Sequence, residues 1–219
     1  DDASTARGFL VLPIVQEDVP GSGTNCLVER VTISETEAPG IDALEFLRCR
    51  SRDHAGQLAV LLARDGTPAR WDEAFDHDLF AVLPLRAELG CGIAASNRFE
   101  VQSGRTHLVD PRSNAARVVE VAGLLEGLVG ALPACASEGT PLSVVLSRFW
   151  ALWRWDRGDS ECDLIRQELA RTLVALAGRV TIVPTLDPGT PVRLGDEPLF
   201  FFSSEICSTG LEVGEALTG

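Results

Sequence analysis

The chain has 219 residues, 45% of them apolar, enough for one large domain or two small ones with a substantial core. Its formal net charge of −13 argues against a nucleic-acid or anionic-membrane surface, because both need clustered positive charge. No unbroken apolar run reaches the roughly 18 residues of a spanning helix, so no membrane-crossing segment is expected.

All 19 basic residues are arginine, and lysine, methionine and tyrosine are absent, a bias that GC-rich coding explains. The start, Asp1-Asp2-Ala3-Ser4, has neither an initiator methionine nor a signal-like apolar stretch, so the chain reads as a piece of something longer. Its six cysteines are widely spaced with no Cys-x-x-Cys pair. That argues against a zinc ribbon or thioredoxin-type site and predicts a reduced, cytoplasmic protein.

In chain order, Phe9 to Val15 and Cys26 to Ser34 are strand-like, joined by a Gly/Pro/acid-rich loop from Glu17 to Asn25. Another loop covers Glu35 to Gly40. Leu44 to Arg50 and Gln57 to Ala63 are strand-length and flank a charged connection, and the second ends at the Asp65-Gly66 turn signal. Strands are then expected over Phe80 to Leu85, Gly92 to Ala95 and Phe99 to Gln102.

The second half is helical. Ser113 is positioned to cap a helix running to Leu132, with Val118, Val121, Leu125, Leu128 and Leu132 on one stripe. Thr140-Pro141 reads as a cap with proline at the first helical position, opening a helix that carries Val144, Val145, Phe149 and Leu152. Ser160 opens a third helix, with Asp163 in its first turn and Gly178 as its stop. A strand from Val180 to Pro184, a turn at Asp187-Pro188-Gly189 and an apolar tail from Leu199 to Phe202 follow. The order predicts an α+β fold, with a β-rich part over residues 1–110 and a helical part with short terminal strands over 111–219.

Few residues suggest chemistry. His77 lies between Asp76 and Asp78, but neighbours on a strand face opposite ways and would not converge on a metal. His54 sits in a charged loop, and Ser103 and His107 are too local to form a hydrolase triad. Gly21-Ser22-Gly23 has no lysine to complete a phosphate loop. The cluster Phe149-Trp150-Ala151-Leu152-Trp153-Arg154-Trp155 is either core or an interaction surface made by Trp150, Trp153 and Trp155. In Ser103-Gly104-Arg105, glycine permits a sharp turn that presents Arg105 at a rim, where a guanidinium suits bidentate contact with phosphate or carboxylate.

Phe80-Ala81-Val82-Leu83-Pro84-Leu85, then Gly90-Cys91-Gly92-Ile93-Ala94, then Phe99-Glu100-Val101-Gln102-Ser103-Gly104-Arg105 resemble three successive elements of the sacsin repeat. Those elements are a Phe-Leu-Pro-Leu strand, Gly-Leu-Pro-Val-His and a Phe-x-Leu-Ser-Ser-Asn-Arg-Arg corner. Asn114 with its helix, the span from Arg166 to Val192, and Pro198-Leu199-Phe200 extend the similarity over about Phe80 to Phe202. In this chain Thr106 replaces the second arginine of the corner, Gly104 the asparagine, and Gly92 and Ala94 the proline and histidine.

The resemblance implies a middle-like segment of a heat-shock-chaperone-type protein, following a GHKL-type ATP-binding domain. It further implies that Arg105 reaches the γ-phosphate of a nucleotide held upstream. This segment would then carry no cofactor of its own, with ATP and magnesium in the upstream domain. Expected partners are that domain and client proteins, and no activity is expected from the segment alone. The alternative is a scaffold module with no part in ATP hydrolysis.

Overall fold

The computed structural model describes residues 14–18, 26–33, 44–53, 55–71, 76–104, 107–109, 111–153, 158–183 and 191–193. The fold is α+β. Its strands are β1 (Ile14–Asp18), β2 (Cys26–Ile33), β3 (Leu44–Ser51), β4 (Gln57–Leu62), β5 (Pro68–Ala69), β6 (Leu79–Ala81), β7 (Leu83–Pro84) and β8 (Ala94–Ser96). They form one sheet in the order β1-β2-β3-β4-β8-β6-β7, with β5 attached to β4. Every pairing is antiparallel except β6 with β8.

The pattern of each strand follows from its place in the sheet. Central β4 is a continuous apolar run because both of its faces are covered. Leu58, Val60 and Leu62 face the main core, whereas Ala59 and Leu61 face a smaller cluster with Trp71 and Ala94. In β3, Leu47 and Cys49 enter the main core while Phe46 turns to the other face and meets Trp71 edge-on, ring centres 5.8 Å apart.

A departure from simple alternation is Glu29, buried in β2. It accepts hydrogen bonds from Arg48 (3.1 and 2.7 Å) and Arg50 (2.6 Å) on the neighbouring strand. Burial alone would raise the Glu29 pKa, but the hydrogen bonds and charges of these two arginines outweigh it and hold the carboxyl below its ordinary value.

The helices are α1 (Ala115–Gly123), α2 (Leu125–Cys135), α3 (Leu142–Ala151) and α4 (Asp163–Ala177). The stripe Val118, Val121, Leu125, Leu128 and Leu132 is buried throughout, as its spacing predicts. α1 and α2 are one rod tightened at Leu124, whose N–H bonds back to Val121. Arg112–Cys135 is long and apolar enough to cross a membrane, and its most apolar 18-residue stretch has mean hydropathy 1.7. Yet 61% of that stretch is buried within the fold, where its stripe packs against the sheet. The main core takes residues from Cys26 to Val183, so strands and helices share it.

Several local expectations are corrected. Leu79 to Leu85 is two short strands and not one, because the chain reverses at Val82 with φ +70°. The cap of α1 falls on Asn114 after a 3-10 turn (Pro111–Asn114), and that of α3 on Pro141 in place of Thr140. Val144 is exposed, and Leu146 takes the inward place. Ser160 begins a 3-10 turn that leads into α4, and Gly178 is the C-cap. Phe99 to Gln102 makes only a bridge, Val101 with Leu108, and Val180 to Pro184 only Val183 with Val192. Of the strand expected over Phe9 to Val15, only Ile14 and Val15 are described, and β1 runs on to Asp18, into the start of the expected Glu17 to Asn25 loop. Phe9 to Pro13, the turn at Asp187 to Gly189 and the tail Leu199 to Phe202 lie outside the described residues.

Candidate functional site

The corner near residue 105 is built from its base upward. Val101 pairs with Leu108, the Gln102 N–H donates to the His107 carbonyl at 3.0 Å, and the Val109 N–H donates to Glu100 at 3.0 Å. The segment from Gln102 to His107 is therefore a closed loop with Ser103 and Gly104 exposed on its turn. Arg105 and Thr106 lie outside the described residues.

The base is held from two sides. Asn114, only 1% exposed, accepts the Glu100 N–H at 2.7 Å and donates to the Glu100 carbonyl at 3.1 Å. That side chain therefore serves the corner and makes no cap bond to α1. On the other side Glu161, just ahead of α4, lies 2.8 Å from His107 Nδ1 and accepts the Leu108 N–H at 3.2 Å.

The strand leading into the corner is anchored likewise. Buried Asn97 donates to the Arg117 carbonyl and to Glu120, both at 3.1 Å, while the other Glu120 oxygen accepts the Gly56 N–H at 3.0 Å. These bonds fix α1 to the β8 end of the sheet and to the β3–β4 turn. Upstream, Asp78 accepts the N–H groups of Leu89 (2.8 Å) and Gly90 (2.7 Å). Gly90 and Gly92 take φ of +71° and +65°. A Cβ on Gly92 would stand 2.8 Å from the Leu152 carbonyl, so this loop packs directly on the end of α3.

The charges here are structural in character. Burial pushes the Asp78 carboxyl above its ordinary value, and its two N–H donors only partly offset that. Burial also raises the Cys91 thiol, and the Cys162 thiol to about 12, so both stay protonated and unreactive near neutral pH. All five described cysteines are buried and free. Among the described residues no group of three or more His, Cys, Asp or Glu side chains is arranged to hold a metal.

The other candidate residues are dispersed. The His77 carbonyl accepts the Trp71 indole N–H at 2.8 Å, which links Trp71 to the residues leading into β6. Trp153 is 8% exposed and meets Phe149 edge-on at 5.7 Å. Its ring belongs to the core, so it does not form the surface that the sequence allowed. Trp150 is half-buried and donates to the Ile182 carbonyl at 2.7 Å, while Trp155 and His54 lie outside the described residues.

The polar residues that hold the corner, Asp78, Asn97, Asn114 and Glu161, act at a distance along the chain. Of these, sequence pointed to Asn114 as the opening of a helix and to Asp78 only as a neighbour of His77, and to neither for this role. No protein-family model matches the chain, and no curated protein or solved structure matches it significantly.

Proposed function

We propose that this chain is the middle-like segment of a large sacsin-like chaperone or scaffold protein. In that reading it works beside an upstream GHKL-type ATP-binding domain and delivers Arg105 to the γ-phosphate of the nucleotide held there. The observation that carries the reading is the clamped base of the corner. Two side chains from separate helical segments, Asn114 and Glu161, grip the backbone on either side of the turn at Ser103-Gly104, which directly precedes Arg105 in sequence.

Such a base suits electrostatic catalysis. A guanidinium lowers a barrier only when it stands ready where negative charge develops, without reorganising at the moment of reaction. In phosphoryl transfer that charge spreads over the γ-phosphate oxygens, and an arginine brought from outside the nucleotide pocket can stabilise it. The nucleotide and its magnesium belong to the upstream domain, so this segment supplies one cation and the frame behind it. Client proteins are the expected partners of the whole assembly.

The test is Arg105→Ala in the longer protein that carries the upstream domain. ATP turnover should fall by roughly 10²–10³-fold with nucleotide affinity little changed. Arg105→Lys should recover only part of the loss, because an ammonium lacks the planar fork. Unchanged turnover in Arg105→Ala would leave the scaffold reading, in which the segment takes no part in hydrolysis.

A further inference from the structure

A groove of about 760 Å³ runs along α1 and α2, bounded on its other sides by the start of α3 and by Val180–Ile182. Its walls are mostly apolar, with Glu120 and Glu126 also lining it, and are open to solvent: Val119 is 55% exposed, Leu142 39% and Val180 37%. Gly123 and Gly130 lie along its floor, and a Cβ added at either would meet nothing within 4 Å. The floor therefore has room for a further side chain or a close-lying segment.

We propose that the groove is the seat of the chain's own C-terminal apolar run, Leu199-Phe200-Phe201-Phe202, folded back from Arg193. The first argument is where the described chain leads. Val192 pairs with Val183 through two hydrogen bonds of 3.0 Å, and Val183 directly follows Thr181 and Ile182 in the groove wall. The chain beyond Arg193 thus starts at the groove's edge. Five residues lie between Arg193 and Leu199, six steps along the chain and a reach of up to about 20 Å. Gly123 to Gly130 spans about 10 Å along a helix, so the run can lie across the floor.

The second argument is the chemistry of the other segments. The residues before Ile14 leave the sheet opposite Ile33, at the far end of β2 from Cys26, the β2 residue in the groove. That end is about 23 Å away along the strand. The loop from Val19 to Asn25 reaches Cys26 directly but reads Val-Pro-Gly-Ser-Gly-Thr-Asn, with a single large apolar side chain. Leu199 to Phe202 is an unbroken apolar tetrad with three aromatic rings, the kind of surface that soluble chains bury. This inference is independent of any role for Arg105.

The test is chymotrypsin cleavage after Phe200, Phe201 or Phe202 in the chain as it stands. With the run seated, cleavage there is slow. Gly130→Phe fills the floor at a position with open space, and should accelerate cleavage at these sites at least tenfold while far-UV dichroism is unchanged. Val119→Glu, on the exposed wall, should do the same and guards against a folding defect in the first variant. Truncation after Arg193 should expose the groove and raise binding of an apolar fluorescent dye. Equal cleavage rates in the three full-length chains would overturn the proposal. So would a truncated chain that binds no more dye than the intact one, including one that hides the groove by pairing with a second copy.

Discussion

Gly127 sets how closely α2 approaches the sheet, and the consequence can be measured. A Cβ there would stand 2.4 Å from the Cys26 sulfur, 3.0 Å from the Cys49 sulfur and 3.6 Å from a Val28 methyl. Favourable contact begins at about 3.5 Å, so Gly127→Ala leaves a deficit of roughly 1 Å at Cys26. Relieving it means lifting the helix or turning Cys26 off its rotamer, at about 1–3 kcal/mol. Alanine in place of glycine within a helix returns up to about 1 kcal/mol.

The single variant should therefore be destabilised by about 0–3 kcal/mol, too broad a range to be decisive. Pairing it with Cys26→Ala is decisive. That substitution removes the offending sulfur, keeps the Cβ and by itself costs about 1 kcal/mol through lost packing. In the double variant the new methyl occupies the vacated space, so the two losses should not add. Urea unfolding of the four chains should give a favourable coupling of about 1–2 kcal/mol. A coupling below about 0.5 kcal/mol would mean that Gly127 is not the contact setting the helix–sheet spacing.

Three further outcomes are expected. Glu29→Gln leaves Arg48 and Arg50, about a fifth exposed at 21% and 23%, without their anionic acceptor. It should cost about 2–3 kcal/mol in urea unfolding, less than the loss of a fully buried pair. Because the folded Glu29 pKa lies below its unfolded value, its contribution is complete above the ordinary carboxylate range and fades as pH falls through the folded pKa. The stability difference between wild type and Glu29→Gln should shrink over that acidic window, and a constant difference would count against the pairing. Asp78 has the opposite sign: its folded pKa is raised, so ionisation disfavours the fold above that value and the penalty lifts as pH drops through it. Asp78→Asn should remove that pH-dependent component and cost about 1–3 kcal/mol by turning an amide N–H toward one of the two backbone donors. Val82→Asn should stabilise by about 1 kcal/mol, since valine at φ +70° is disfavoured and its 86% exposure leaves little packing to lose. A thermal midpoint no higher than wild type would refute it.

The regular elements were legible where one residue's neighbours decide its state. β2, β3 and β4 follow from β-branched and apolar runs, and the α1–α2 rod from a stripe at helical spacing. The reversal at Val82 was not, because Leu79 to Leu85 has no glycine or asparagine to mark a turn and valine is a poor residue for positive φ. Of the two readings open for the tryptophan cluster, Trp153 takes the core one: α3 ends at Ala151, and Trp153 beyond it turns inward against Phe149. The clamp on the corner was invisible in pattern altogether. Asn114 reaches back 14 positions to Glu100 and Glu161 reaches back 53 to Leu108, and periodicity carries no record of such pairings.

Buried polar side chains are concentrated along and directly against residues 79–108. Six described polar or charged residues are buried, and Asp78, Asn97 and Asn114 lie within or directly against this one segment. A buried polar side chain costs stability unless its hydrogen bonds are made, and apolar packing could fill the same volume without that demand. What hydrogen bonds add is direction: Asp78 sets the path of the Leu89-Gly90 loop, Asn97 the join between sheet and α1, and Asn114 the backbone of Glu100. Three such constraints in succession fix where the strand enters the corner more narrowly than apolar contacts would. A surface loop with nothing to meet has no need of that definition. A loop that must meet a group on another domain does, and that is the role proposed above for the corner.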